Sequence, residues 1–243
     1  MQSVQPEPRP CEKRLALELC AGSAGLSAEL AAIGFEVIAI DYERNRQEAK
    51  AATMKADLST VAGQSLVMMA FDSDRVFYWH AAPPCGTCSK AREIPVSRAA
   101  RLAGAPAPVP LRSDDHPEGL PDLTGVAKLR VVTANSIHSF IAKLAMQCLK
   151  THDKNIFFTI ENPTGSYLWQ LPCFRALTAA GAKCFDFVQC RHGGTRPKRT
   201  RLLSNCPTFE TMCGGCPGDH IHEAWGVHKH GNEWKFATAS EAA

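Results

Sequence analysis

Residues 15–34 read LALELCAGSAGLSAELAAIG. Leu15 to Leu19 is a short apolar run of the length a buried strand needs, and Cys20-Ala-Gly-Ser-Ala-Gly25 interrupts it with two glycines. From Leu26 to Ile33 the apolar residues take helical spacing, and Gly34 ends the pattern. Strand, glycine turn and helix in that order predict the first unit of a parallel sheet covered by helices. The segments that follow extend it. Phe35 to Ile40 is a second apolar run, closed by Asp41; Arg44 to Met54 is expected to be helical; Val76 to His80 reads as a buried strand running into Ala81-Ala82-Pro83-Pro84. Leu123 to Lys150 has the periodicity of one long amphipathic helix, Phe157 to Ile160 reads as a strand ending at Glu161-Asn162-Pro163, Cys173 to Ala180 as a helix and Cys184 to Gln189 as a strand. The expected fold is α/β, with a mostly parallel central sheet and helices on both faces.

A chain of 243 residues with 45% hydrophobic content can bury one full α/β core and a small accessory lobe, but not two complete domains. Lys+Arg number 27 against 24 Asp+Glu, an excess too small to point to nucleic acid through total charge. Distribution says more. Arg196, Lys198, Arg199 and Arg201 lie within His192–Arg201 with no acid among them, whereas Asp114, Asp115 and Glu118 form an acidic spot elsewhere. No apolar run approaches the roughly 18 residues of a membrane span, and the N-terminal MQSVQPEPRPCEKR is polar. The expectation is an intracellular, unsecreted monomer with no membrane partner. Eleven cysteines scattered through strands and helices fit reduced thiols better than a secreted disulfide framework. Residues 94–121, rich in proline, are expected to form a long loop, either a lid or an insert.

Four places carry residues suited to chemistry. The first is the turn from Cys20 through Ala21 and Gly22 to Gly25. Its glycines let a ligand approach the backbone at a helix N-terminus, with Asp41 placed for ribose hydroxyls and Asp57 for an adenine ring. Glycines there for packing, and loop carboxylates, are the plainer reading. The second is Pro83-Pro84-Cys85-Gly86-Thr87-Cys88-Ser89, where a rigid Pro-Pro step holds a cysteine at the carboxyl edge of a strand. Cys85 reads as a nucleophile; a buried thiol, or a Cys85/Cys88 metal or redox pair, is the alternative. The third is Glu161, carried out of an apolar strand, where partial desolvation suits it to donate a proton near neutral pH, or where it simply caps the next turn. The fourth is the basic tract, in which Arg199 and Arg201 alternate and so share one face of an extended segment. They could grip a phosphate or orient the acid, against the alternative of a solvated basic loop.

In this order the four sites resemble the cytosine carbon-5 DNA methyltransferases, in a divergent form similar to phage and mobile-element members. LELCAGSAGL matches the glycine-rich motif, APPCGTCS the Pro-Cys motif, IENP the Glu-Asn motif and RPKRTRLLSN the basic motif, over about Leu15 to Asn205. Pro163 stands where the family has valine, and Pro197 where the basic motif has glutamine. The resemblance implies a Rossmann-like, S-adenosylmethionine-dependent methyltransferase fold. It also implies a flipped-out cytosine attacked at carbon-6 by Cys85, with Glu161 on ring nitrogen 3 and Arg199 and Arg201 positioning Glu161 and the nucleotide. The methyl donor would lie over Cys20, Ala21, Gly22, Gly25, Asp41, Asp57 and Pro83, while Pro84, Ser89, Asn162 and Lys198 would face the substrate. DNA is the implied partner ahead of RNA.

The expected organisation is a polar tail over 1–14, a catalytic domain over 15–205, and a small Cys/His-rich segment over 206–243 in which the family's C-terminal motifs are not evident. Within that segment Cys206, Cys213, Cys216, His220 and His222 form a cluster with the spacing of a structural zinc site, Cys206, Cys213, Cys216 and His220 being the preferred ligands and ordinary reduced cysteines the alternative. Two rival functions stand beside DNA methylation. One is the same chemistry on RNA cytosine; the other is a catalytically silent module that binds nucleic acid or zinc.

Overall fold

The computed structural model describes residues 14–45, 47–71, 75–151, 156–231 and 233–236. Of the expected polar tail, all but Arg14 lies outside the described residues. In chain order the main elements are β1 (Leu15–Leu19), α1 (Gly25–Ala32), β2 (Glu36–Asp41), β3 (Thr53–Lys55), α2 (Val61–Phe71), β4 (Val76–Ala81), α3 (Arg98–Leu102) and α4 (Gly125–Lys150). They continue with β5 (Phe157–Pro163), α5 (Pro172–Ala179), β6 (Lys183–Val188), β7 (Arg199–Ser204), β8 (Val227–His230) and β9 (Glu233–Phe236). Seven strands form one sheet in the order β3-β2-β1-β4-β5-β7-β6, and β8 pairs with β9 alone. All pairs from β3 to β5 are parallel, while β7 runs antiparallel to both β5 and β6. The strand order therefore steps outward in both directions from β1 and β4. That reversal opens a crevice at their carboxyl ends, where open α/β sheets take their ligands.

Side-chain alternation along β1 explains the two layers. Leu15, Leu17 and Leu19 point into the larger core with Val67 of α2, Ile141 and Leu144 of α4, and Phe174 and Leu177 of α5. Ala16 and Glu18 face the other way, toward α1, where Glu18 Oε2 accepts a hydrogen bond from Ser27 N at 2.7 Å. Burying a carboxylate there pushes the Glu18 pKa up. Trp79 of β4, shut from solvent, stacks on Phe158 of β5 with ring centroids 5.3 Å apart and ties the middle of the sheet together.

Two sequence expectations are corrected, and one helix was not foreseen. Arg44–Met54 is not a helix: it has good helix formers but no apolar stripe, and its polar groups are drawn to the glycine turn instead. Asn45 Nδ2 donates to Gly22 O, and Lys50 N donates to Ser23 O at 2.7 Å, so the segment folds across the turn before β3. Helix α2 occupies a stretch in which no element was expected, because Gly63, Ser65 and Val67 weaken its helical signal. The proline-rich segment 94–121 is mostly loop but contains α3, capped by Ser97 Oγ accepting from Ala100 N. It is anchored by Arg112, only 1% exposed, whose guanidinium donates to Pro117 O at 2.6 Å and Thr87 Oγ1 at 3.0 Å.

Candidate active site

Cys85 stands where the chain leaves β4. Pro83 and Pro84 carry it past the sheet edge into a 3₁₀ turn, Cys85–Thr87, closed by Cys88 N and Ser89 N donating to Cys85 O at 2.9 and 2.8 Å. The turn is held from several sides. Asn162 Nδ2 donates to Pro83 O at 2.9 Å, and His138 Nε2 lies 3.4 Å from Pro84 O. Tyr167 N donates to Cys88 O at 2.9 Å, and Arg112 reaches Thr87. Burial drives the His138 pKa down to about 3, with the Arg112 charge adding to the effect, so its imidazole is neutral and can donate to Pro84 O through Nε2. A turn fixed at this many points holds Cys85 in a set orientation.

The two cysteines of the turn have different fates. Cys85 is partly exposed, whereas Cys88 is fully buried, with its Sγ 3.8 Å from Thr87 Oγ1 and 4.0 Å from His138 Nδ1. Both thiols are free. Of the pair, Cys85 is the one a ligand can reach.

Glu161 emerges from β5 beside this turn. Burial pushes its pKa above the ordinary carboxylate value, opposed by Lys198, whose Nζ lies 3.6 Å from Oε1. Burial likewise raises the Cys85 thiol, the Glu161 charge raises it further, and Lys198 opposes both. Thiol, carboxyl and ammonium therefore sit within electrostatic reach at the carboxyl ends of β4 and β5.

The arginine pair does not join them. Glu161 is paired across the ladder with Leu202 and Asn162 with Arg201, so Arg199 and Arg201 project to the opposite face from Glu161. Arg201 instead makes a two-point contact with Asp186 of β6, at 2.6 and 2.7 Å, and Arg199 is exposed. Lys198, one residue before the strand and on the other parity, takes the place beside Glu161. Ser89 Oγ accepts from Ala91 N and caps a short 3₁₀ turn, so the hydroxyl is occupied locally.

The glycine turn lies next door, at the end of β1. Gly22 is at φ 55, and the described non-glycine residues with positive φ, Cys20 at 55 and Ala24 at 53, both belong to this turn. Strain concentrated in this way is typical of a backbone shaped for a ligand. Around Gly25 an added Cβ would come no nearer than 3.6 Å to any neighbour, so the turn is open at that point. Asp41 Oδ2 accepts from Gly22 N at 2.6 Å and Oδ1 from Tyr42 N at 2.6 Å, so this carboxylate braces the turn. Asp57 is exposed, its Oδ1 taken by Ser59 N and Oγ at 2.9 and 2.6 Å.

The expected zinc quartet is not assembled. Cys206 Sγ lies 2.9 Å from Thr208 Oγ1, and Cys213 Sγ faces Phe209 O at 3.9 Å. The side chains that do converge are Cys190, Cys216, His220 and His222, whose ligand atoms all lie within 4.8 Å of one another. Arg112, His138 and Cys190 are the residues that sequence reading missed, while His222 belonged to the expected cluster but not to its preferred four. Cys190 had a signal, since Cys is a common zinc ligand; Arg112 had none.

No family model and no curated protein matches the chain. Among solved structures it is similar to a delta-N METTL16 methyltransferase domain, with 11% identity over 79% of this chain and 73% of that one, at a TM-score of 0.42. It is also similar to the S. pombe Dnmt2 methyltransferase, with 13% identity over 79% of this chain and 50% of that one, again at 0.42. The alignment thus spans half of the Dnmt2 chain. The sheet order, with a single reversed strand between β5 and β6, decides the architecture. This is a Rossmann-like α/β fold. Among the described residues no helix is long and apolar enough to cross a membrane.

Proposed function

We propose that the protein transfers the methyl group of S-adenosylmethionine to carbon-5 of cytosine in nucleic acid, with DNA as the substrate, through a covalent adduct on Cys85. The observation that carries this reading is the meeting of Cys85, Glu161 and Lys198 at the ends of two neighbouring parallel strands, beside a strained glycine turn. The turn suits the cofactor: Cys20 to Gly25 would take its amino-acid portion against the backbone, with Asp41 and Asp57 along the nucleoside. The cofactor supplies an electrophilic methyl.

The protein's residues supply the rest. Cys85 gives its proton to solvent and its sulfur bonds carbon-6 of a cytosine turned out of its stack, while Glu161, whose hold on a proton burial strengthens, donates to ring nitrogen 3. The electron pair that leaves the carbon-5–carbon-6 double bond resides on carbon-5 and takes the methyl. Loss of the carbon-5 proton to water then restores the double bond and expels Cys85 as thiolate, and Glu161 takes its proton back from nitrogen 3. Lys198 keeps the acid from being held neutral too tightly and offsets charge on the attacking sulfur.

The test is trapping with a 5-fluorocytosine oligonucleotide plus S-adenosylmethionine on a denaturing gel, because fluorine cannot leave as a cation and the adduct persists. A shifted band on duplex or single-stranded DNA that requires cofactor and vanishes in Cys85→Ser is expected. A band on RNA alone would move the substrate assignment to RNA. No band on any of the three would overturn the catalytic reading in favour of a binding module.

A further inference from the structure

The residues after β7 pack without a core. Among the described residues none from 205 to 236 is buried, Ile221 is 98% exposed and Trp225 43%. Yet the segment follows a defined path back along the loop between β6 and β7. Val188 N donates to Gly214 O at 3.2 Å, Glu223 N donates to Thr195 O at 3.0 Å, and Arg196 pairs with Glu223 at 2.6 Å. A few hydrogen bonds and a half-exposed ion pair contribute little, and small lobes of this kind are commonly stapled by a disulfide or a metal. Four ligand side chains lie where such a staple belongs.

We propose that Cys190, Cys216, His220 and His222 bind one zinc ion. Tetrahedral zinc with Zn–S bonds of about 2.3 Å and Zn–N bonds of about 2.0 Å sets sulfur and nitrogen ligands about 3.5 Å apart. Cys216 Sγ is 3.4 Å from His222 Nε2 and 3.9 Å from His220 Nε2, and the two imidazole rings stand edge to face rather than stacked. The surroundings are those of a ligand set. His220 Nδ1 is 2.8 Å from Asp219 Oδ1, an outer carboxylate that fixes the tautomer and leaves Nε2 for the metal. Gly218 N donates to Cys216 Sγ at 3.3 Å, a contact that favours thiolate. Two thiolates and two neutral imidazoles balance the charge of the ion, and binding releases one proton from each thiol.

The placement gives the ion a task. Cys190 lies in the 3₁₀ turn Gln189–His192 that follows β6, while the other three ligands come from the coreless segment. Gln189 N donates to Lys198 O at 2.9 Å, so the turn that holds Cys190 also fixes the residue beside Glu161. Zinc would pin the segment to the loop that delivers Lys198.

The experiment uses the 243-residue wild-type chain. It is stripped with chelator, reloaded with zinc, alkylated with iodoacetamide and mapped by mass spectrometry, with metal counted by plasma emission. One zinc per chain and protection of Cys190 and Cys216, while Cys206 and Cys213 react regardless of zinc, is the expected result. Cobalt in place of zinc should give the intense visible bands of a tetrahedral site with sulfur-to-metal charge transfer. The double variant Cys206→Ser/Cys213→Ser should retain the full zinc content. Protection that falls on Cys206 and Cys213, alkylation of Cys190 and Cys216 that ignores zinc, or zinc content lost in the double variant would each overturn the assignment.

Discussion

Asn162, fully buried at the end of β5, donates from Nδ2 to the carbonyl of Pro83 at 2.9 Å, across 79 positions of sequence. Proline has no N–H and leaves the Cys85 turn with carbonyls to satisfy; His138, from α4 on the covered face of the sheet, sits below the second one. Cys85 is thus placed by β5, the strand that also carries Glu161, and by α4, a helix that contributes no group to the proposed attack. Asn162→Ala deletes the donor and leaves a buried carbonyl unpaired, which should destabilise the fold by about 1–3 kcal/mol. Freed of that hold, Cys85 should form adduct at least about 100-fold more slowly. Urea denaturation and single-turnover trapping measure the two effects, and an unchanged trapping rate would show that the contact only supports the fold.

Lys198 and Arg201 separate the sequence expectation from the structure. If Lys198 acts beside Glu161, Lys198→Gln should slow adduct formation by about 10²-fold, the range of a lost charge at a reacting centre. It should also raise the pH at which Cys85 is alkylated, since a cation opposing its elevated pKa is gone. Arg201→Gln breaks a partly exposed pair with Asp186 and should cost about 1 kcal/mol or less, with the trapping rate within a factor of a few. The reverse pattern, with Arg201 essential and Lys198 dispensable, would restore the arginine to the site.

Adduct formation needs Cys85 as thiolate and Glu161 as acid, and both groups titrate above their ordinary 9.0 and 4.5. As pH rises the thiolate fraction grows and the acid fraction falls by the same factor, so the wild-type rate should be flat between the two pKa values. It falls below the Glu161 pKa and above the Cys85 pKa. Glu161→Gln removes one titration and relieves the charge that raises Cys85. Its slower reaction should therefore climb steadily with pH, about tenfold per unit through neutrality. Stopped-flow trapping across pH 5 to 10 distinguishes the profiles, and a plateau retained in Glu161→Gln would assign the acid limb to another group.

Much of the fold was legible because its signals are local. Leu15, Leu17 and Leu19 alternate into the core as a strand must, and the pattern of Leu123 to Lys150 foretold α4 to within a few residues. The failures are tertiary. Arg44–Met54 has helical composition but its Asn45 is spent on the Gly22 carbonyl, a contact no periodicity reveals. The strand-end positions of Glu161 and Cys85 were readable from the apolar runs that precede them. The arginines were misread because parity within β7 counts from a pairing register, Glu161 with Leu202, that only the sheet defines. Cys190 was missed for the same reason, being near Cys216 in space and remote from it in sequence.

Gly63 tests whether the end of β3 belongs to a cofactor site. The N-terminus of α2 passes so close to the preceding segment that a methyl group on Gly63 would stand 2.1 Å from the Asp57 carbonyl oxygen and 2.6 Å from its carbon. Backbone cannot yield like a side-chain tip, so Gly63→Ala must push α2 away from Asp57 or move Asp57 itself. Overpacking of this kind costs about 1–3 kcal/mol. Gly165→Ala, with nothing within 4 Å of its added Cβ, is the matched control and should stay within about 0.5 kcal/mol of wild type. If Asp57 lies along the nucleoside of the methyl donor, Gly63→Ala should also weaken S-adenosylmethionine binding in calorimetry by about tenfold or more, under conditions where circular dichroism shows the variant folded. Equal affinity in a folded Gly63→Ala protein would remove Asp57 from the site and leave the glycine turn after β1 to hold the donor.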